Sequence, residues 1–453
     1  MSFKFCLLSN NRVKEYEKGV NMQKDTVAKM LRYRKLIFLI LALAYFLVYF
    51  HRLSLPVVAD DLAQTFKTTA SVLGLLGSVY FYCYAFMQFP AGLLSDSLGP
   101  RKLVTFFLLI ASAGSVLFGF APSIEIAFVG RILVGLGVAM VFIPTMKILS
   151  QWFRAHEFAF MAGILNAVGG AGVMAATWLL ALMTDRFGWR ISFELIGAVT
   201  FVIAILAWLI VRDRPQDRGW PSISEIDSKA NGESVAPAKP ISLWEGARRV
   251  VGEKYFWPVA LWFFFDCGIF FGFGALWSGP YLMHVYGMTK AQAGAILSMI
   301  AWGMIIGSPF LGYLSDKLLK SRKKPFIICT SVLVAEFLVF NLFPQGISTG
   351  VLSLLFFIFS VASSAIVIVA FTTVKELFPV EIAGTSVGTV NLFPFLGGAV
   401  FMPFLGKVLD AYPKTDTGGY SPEAYETLLL ILLVSSIAAL VCTFFMKETF
   451  HNN

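Results

Sequence analysis

Charged side chains are scarce in the long apolar segments of this chain, and each one there is costly unless it has a partner or a task. Arg52 is the first. With Tyr45 and Tyr49 it falls in a narrow stripe at a helical repeat. A guanidinium offers a planar fork to a carboxylate or phosphate, and tyrosines add directed hydroxyls, so this face suits an anion. The plain alternative is an arginine that snorkels to the headgroups. His51 adjoins it and is a candidate proton-coupling group, because imidazole titrates near neutral pH. In the second half the main acid is Asp266. Trp262, Asp266, Phe270, Phe273 and Trp277 share one helical face there, and Gly268, Gly272, Gly274 and Gly279-Pro280 make the segment easy to bend or unwind. Asp266 is a candidate proton carrier or ion-pair partner for Arg52; a structural hydrogen bond to a neighbouring helix is the alternative. Trp262 and Trp277 are candidate substrate contacts, although an aromatic stripe is more often packing.

Arg131 and Lys147 are further candidate contacts. They lie on nearly opposite faces of one segment, so they do not both line one cavity, and Lys147 is within snorkelling reach of an interface near Trp152. Glu336 reads as structurally paired, and Lys375-Glu376 as a pair at a membrane face.

These residues need elements to carry them. The chain has 453 residues, 57% hydrophobic and 14% charged, with 45 Phe; its mean hydropathy is +0.75. Apolar runs of about twenty residues, the length that spans a bilayer, recur from end to end. That excludes a large soluble core, and no short alternating strands of a β-barrel are visible. The fold class is an all-α membrane protein with twelve transmembrane helices. Expected spans are 36–58, 73–95, 102–121, 126–151, 158–182, 190–211, 255–283, 291–314, 325–344, 349–375, 384–409 and 426–446. Residues 1–35 form a basic tail in which Met22 or Met30 is a candidate start. Residues 36–211 form one six-helix bundle, 212–254 a solvated linker, 255–446 a second bundle and 447–453 a short tail. No cleavable signal is read at the N-terminus.

The net charge of +9 collects in particular loops, so it is not read as a nucleic-acid signal. Loops after spans 2, 4, 6 and 8 carry Arg101-Lys102, Arg154, Arg212/Arg214/Arg218 and Lys317 to Lys324, whereas the loop after span 11 holds Asp410, Asp416, Glu423 and Glu426. The positive-inside rule then puts both termini in the cytoplasm. The five cysteines are scattered and show neither a metal site nor a disulfide framework. No phosphate loop and no nucleophile–base constellation appears, so the expectation is no enzyme, no cofactor and no metal.

Two repeats relate the halves. Gly92-Leu-Leu-Ser-Asp96-Ser-Leu-Gly99-Pro-Arg101-Lys102 is followed 220 positions on (92 to 312) by Gly312-Tyr-Leu-Ser-Asp316-Lys-Leu and Arg322-Lys323-Lys324. Gly163-Ile-Leu-Asn166 recurs 225 positions on (163 to 388) as Gly388-Thr-Val-Asn391. Glycine permits close helix packing, but an amide in a bilayer needs partners, so Asn166 and Asn391 are read as facing a central cavity. Tandem related bundles are a sign of secondary transporters.

Six plus six spans with a G-x-L-S-D-x-x-G-x-R-K turn after span 2 resemble the major facilitator superfamily over residues 36–446. The resemblance implies that Asp96 and Arg101, with Asp316 as the weaker counterpart, form a conformational latch on the cytoplasmic side. Arg131-Ile-Leu-Val-Gly135-Leu-Gly137-Val-Ala139 resembles the superfamily pattern whose arginine sits in the transport path. Arg52-Leu-Ser-Leu55-Pro-Val57-Val-Ala59-Asp-Asp61-Leu62 is similar to a pattern of the anion:cation symporter branch, whose members move organic and inorganic anions, sugar acids and sugar phosphates among them. His51 and Val138 stand where several relatives carry acids, so proton coupling cannot use carboxylates at those positions. Span 5 lacks the Gly-Pro of drug antiporters.

The resulting expectation is a monomeric secondary transporter of the bacterial inner (plasma) membrane. It moves a small organic anion by rocking two bundles about a midplane site, with the proton as coupling ion. Rivals are an amino acid or other zwitterion held by Arg52 and Asp266, an amphiphile using the aromatic stripe, and a membrane sensor that binds a ligand without flux.

Overall fold

A computed structural model describes residues 2–223, 225, 243–379, 382–415 and 418–450, with only the backbone course for 2–26 and for a few positions inside helices. The described chain is almost wholly helical. Eleven apolar helices are long enough to cross a membrane: Val27–Leu53, Ala70–Gln88, Pro100–Gly119, Ile124–Trp152, Phe160–Ile210, Phe256–Tyr286, Lys290–Leu319, Lys323–Leu342, Thr349–Leu377, Thr385–Asp410 and Pro422–Phe445. The fifth holds 51 residues. At the helical rise it would be about 77 Å long, more than twice the roughly 30 Å hydrocarbon core. It breaks at Gly188, whose φ of 78° and ψ of 161° lie outside helical space. Only glycine takes such a backbone without strain. The run is therefore spans 5 and 6, and the spans number twelve.

Short polar interruptions separate the spans. Span 1 ends at Leu53, and Pro56 at the first turn of Leu55–Phe66 starts a short helix lying across its end. Thr69 and Thr289 cap spans 2 and 8 with their side chains. Spans 5, 7, 8 and 10 each contain a stretch of π-helix, at Ala175–Leu179, Phe270–Trp277, Leu314–Leu319 and Val361–Ala365. Wide turns of this kind shift the faces of everything beyond them.

Each bundle is clasped at the termini side by a carboxylate just past its last span. Asp213 Oδ1 accepts the backbone N–H of Arg101 at 2.6 Å, at the start of span 3. Glu448 accepts the N–H of Arg322 at 2.8 Å, at the start of span 9, and the Ser321 hydroxyl. Both acids face the positive end of a helix. The beginning of the linker docks beside the first clasp: Arg218 lies 4.1 Å above the Tyr33 ring, and Trp152 Nε1 donates to the Arg212 carbonyl at 2.9 Å. The helix Leu243–Gly252 rests near Thr385 at the start of span 11.

Between the bundles, span 2 packs along span 11 and span 5 along span 8. Spans 1 and 7 meet across the same seam.

Candidate functional site

Span 1 sets Tyr45, Tyr49 and Arg52 on one face, as their spacing requires. The two tyrosine rings meet edge to face at 5.2 Å, and Tyr45 stacks on Phe142 of span 4 at 5.5 Å. Gly169 of span 5 makes room for them: a Cβ there would stand 2.8 Å from the Tyr49 ring. Arg52 is buried. Its guanidinium lies 4.8 Å from the centre of the Tyr49 ring, 4.9 Å from Tyr84, 5.3 Å from Phe395 and 6.0 Å from Phe271. Two of these rings come from the first bundle and two from the second. The hydroxyls of Tyr80 and Tyr84 also reach the guanidinium. Its Nε has no hydrogen-bond partner, and among the described residues no carboxylate forms an ion pair with it. Cation–π contacts of this kind stabilise by about 0.5–2 kcal/mol each and offset part of the several kcal/mol needed to desolvate a charge.

Arg131 is buried on the other side of Tyr80, 5.1 Å from that ring. Its Nη1 donates to the His51 carbonyl at 3.2 Å, while Nε, Nη2 and both His51 ring nitrogens are unpartnered. Lys147 is turned to the Ser95 carbonyl, 2.9 Å away. Asn391 reaches across the seam to Gln88 Oε1 at 3.3 Å; Asn166 is half-buried on span 5.

The span 7 stripe keeps Trp262, Asp266, Phe270 and Phe273 on one side, but that side is turned away from the seam. Trp262 Nε1 donates to Thr330 at 2.9 Å, Asp266 Oδ2 accepts from Ser363 at 2.9 Å, and Phe270 and Phe273 stack on Phe359 and Phe356. All of these partners belong to spans 9 and 10 of the same bundle. Trp277 donates to the Met402 carbonyl at 3.0 Å. Phe271 lies nearly opposite that side, against Phe81 at 4.6 Å and Phe395 at 6.3 Å. No ion pair joins Arg52 to Asp266, whose Oδ1 is unpartnered. Glu336 is buried in span 9 with both carboxylate oxygens unpartnered, so the structural pairing expected for it is not found among the described residues.

The expected latch residues act within their own bundles here. Arg101 packs on the Trp208 ring at 4.4 Å and donates to the Trp208 carbonyl through Nε at 3.0 Å. Asp316 pairs with Arg322, which also holds Glu376 at 2.8 Å. The Asp96 side chain lies outside the described residues. Asp213 is half-buried, and burial pushes its carboxyl above the usual range despite the Arg101 N–H.

The polar contacts across the seam gather at the end remote from the termini. Asp60 accepts from His284 at 2.9 Å, and Lys290 Nζ sits 2.6 Å from both oxygens of Asp61. Asp410, at the end of span 11, accepts the N–H groups of Ala70 and Ser71 at 2.8 and 2.7 Å and so caps span 2 of the other bundle. On the termini side, Arg34 pairs with Glu157 at 2.7 Å inside the first bundle. A groove beside that pair, lined by Phe38, Phe153, Phe160, Met161 and Ile164, is touched by none of the rings around Arg52. Among the described residues no group of three or more His, Cys, Asp or Glu stands ready for a metal ion.

A family model described as Major Facilitator Superfamily matches residues 41–402 and 269–451. The chain belongs to the major facilitator superfamily. Within the superfamily, it is 24% identical to a protein of Escherichia coli K12 described as a probable galactarate/D-glucarate transporter, over 93% of this chain and 96% of that one. It is 26% identical to a probable sulfoacetate transporter of Cupriavidus necator, over 63% of this chain and 66% of that protein. The fold matches a solved bacterial homolog of the human lysosomal transporter Spinster with a TM-score of 0.72 at 19% identity, covering 91% of this chain and 96% of that chain. It is thus a multi-pass membrane protein of a transporter family.

Tyr80, Tyr84, Phe271 and Phe395 are absent from the expectations drawn from sequence. Tyr80 and Tyr84 carry a signal, since they are one helical turn apart in span 2. Phe271 carries none of its own: the periodicity sets it nearly opposite the Trp262 stripe but does not say which side meets the other bundle.

Proposed function

We propose that this protein is a secondary active transporter that moves a small organic anion by alternating access, coupled to protons. The observation that carries the reading is Arg52: a buried guanidinium on the seam, ringed by side chains of both bundles, with an unpartnered Nε and, among the described residues, no carboxylate paired to it. A buried cation without a counter-ion favours an incoming anion, and a site built from both bundles changes when they rock. Tyr45 and Tyr49 add hydroxyls, and Arg131 behind Tyr80 adds positive potential. The relatives named for galactarate/D-glucarate and for sulfoacetate lend the anion reading further support. Asp266, buried with one oxygen free and the other on Ser363, is the proposed proton carrier. Arg101, Asp316 and Asp96 are the proposed latch on the cytoplasmic side in the alternate state.

The test is uptake into proteoliposomes of labelled organic anions, amino acids and sugars, with and without an imposed pH gradient. Anion uptake that the gradient drives, that Arg52→Gln abolishes and that Asp266→Asn uncouples from the gradient while sparing counterflow is the expected result. Uptake of a neutral solute that survives Arg52→Gln refutes the anion site. Saturable binding without flux replaces the transporter with a sensor.

A further inference from the structure

The two bundles contribute different chemistry to Arg52. The first supplies hydroxyl-bearing rings, Tyr49 and Tyr84 against the guanidinium and Tyr80 behind them. The second supplies hydrocarbon: Phe271 and Phe395, whose planes lie within 12° of parallel. No cation of the second bundle joins them. Its basic residues in spans 10 and 11, Lys375 and Lys407, are exposed near the span ends. Arg131 is almost wholly buried behind the Tyr80 ring, with Nη1 on the His51 carbonyl and Nε and Nη2 unpartnered, and it belongs to the first bundle rather than to the side that holds Phe271 and Phe395. Asp266 is turned to Ser363 on span 10, whereas Phe271 is turned to the seam, so among the described residues no acid pairs with Arg52 to receive an ammonium group.

Resting on the anion reading, we infer that the solute is a singly charged amphipathic acid. One carboxylate or sulfonate meets Arg52 and the tyrosine hydroxyls, and a flat apolar or aromatic body lies against Phe271 and Phe395. A second carboxylate, an ammonium or a run of hydroxyls on that body would be pressed against ring faces without partners, which is unfavourable for every polar group and most of all for a charge. This solute differs from galactarate and glucarate, which carry two carboxylates and several hydroxyls.

The experiment uses a matched set that keeps the ring and changes the charge: phenylpropanoate, phenylsuccinate with a second carboxylate, and phenylalanine with an added ammonium, alongside galactarate. Binding to the purified full-length protein is measured by titration calorimetry, for the wild type, Arg52→Gln and Phe395→Leu. Phenylpropanoate is expected to bind at least about tenfold more tightly than phenylsuccinate or phenylalanine, one full decade being a modest toll for an unpartnered buried charge. Arg52→Gln should abolish that binding. Phe395→Leu, which keeps volume and loses the ring, should weaken phenylpropanoate about fivefold and leave the order of ligands intact. Tighter, Arg52-dependent binding of galactarate or phenylsuccinate overturns the inference and leaves the anion reading standing. Preference for phenylalanine, or binding indifferent to Arg52, brings down both. No saturable binding of phenylpropanoate by a folded, monodisperse protein also overturns the inference.

Discussion

Asp410 offers the sharpest test of how the bundles close at the end remote from the termini. It leaves span 11 and accepts two N–H groups, from Ala70 and Ser71, at the start of span 2 across the seam. Replacing it with alanine removes both bonds and a negative charge from a helix N-terminus. A fully shielded bond to a charged group is worth about 1.5–3 kcal/mol, but Asp410 is exposed, so the appropriate figure is that of an ordinary cap, about 1 kcal/mol. If the contact exists only in the closed arrangement, Asp410→Ala raises the open-to-closed ratio by about fivefold. Spin labels at Gln64→Cys and Ala411→Cys, exposed positions on either side of the seam, report this as a longer-distance population in pulsed electron resonance, in a background with the native cysteines replaced by serine. Ser71→Ala keeps the backbone donor and serves as control. An unchanged distance distribution, or one shifted toward closure, refutes the argument that this cap holds the bundles together.

The Asp61–Lys290 pair is partly buried; burial pushes the Asp61 carboxyl up and Lys290 opposes it. A double-mutant cycle with Asp61→Asn and Lys290→Gln, read by the same labels, should give a coupling of about 0.5–1 kcal/mol, and strict additivity contradicts the pairing. At Gly406 a Cβ would stand 2.5 Å from the Ala70 carbonyl oxygen across the seam; Gly406→Val should therefore hold this end open, keeping ligand binding while uptake falls at least about tenfold, and unimpaired uptake counts against the close approach. Burial alone would raise the Glu448 carboxyl, but the Ser321 hydroxyl and the N–H groups of Arg322, Phe450 and Lys323 hold it below 4.5. Because the folded value is lowered, the stabilisation is present above pH 4.5 and is lost as pH falls through the lowered value. Glu448→Gln should melt below the wild type at pH 7, with the gap closing in acid; a gap independent of pH removes charge from the explanation.

The spans, the two bundles and the common face of Tyr45, Tyr49 and Arg52 in span 1 were legible because each rests on a short-range rule. Twenty apolar residues must cross, and positions four and three apart must share a face. The helix break at Gly188 was legible too, in the gap between the expected spans 158–182 and 190–211. Span 7 was misread in its facing: Trp262, Asp266, Phe270 and Phe273 do share a side, but periodicity does not say which neighbour that side meets, and it meets spans 9 and 10 while Phe271, nearly opposite, looks onto the seam. The cross-seam contacts were beyond reach for another. Asp60 and Asp61 were noticed as part of a motif, but His284 and Lys290 lie 224 and 229 positions away, and no local pattern joins them. Lys147 and Trp262 were chosen for residue type; their partners, Ser95 and Thr330, follow from packing that residue type does not encode.

The paired clasps have a mechanical consequence. Asp213 ties the tail of span 6 to the head of span 3, and Glu448 ties the tail of span 12 to the head of span 9. Each set of six helices is thereby braced into a ring, with its last member fastened to its middle. Compliance is then concentrated at the termini side of the junction, where no such carboxylate brace is found among the described residues; the Asp410 cap crosses the junction only at the far end. Stiffening substitutions placed inside either ring should raise thermal tolerance at little expense to turnover, whereas the same gain sought along the junction comes directly out of the stroke.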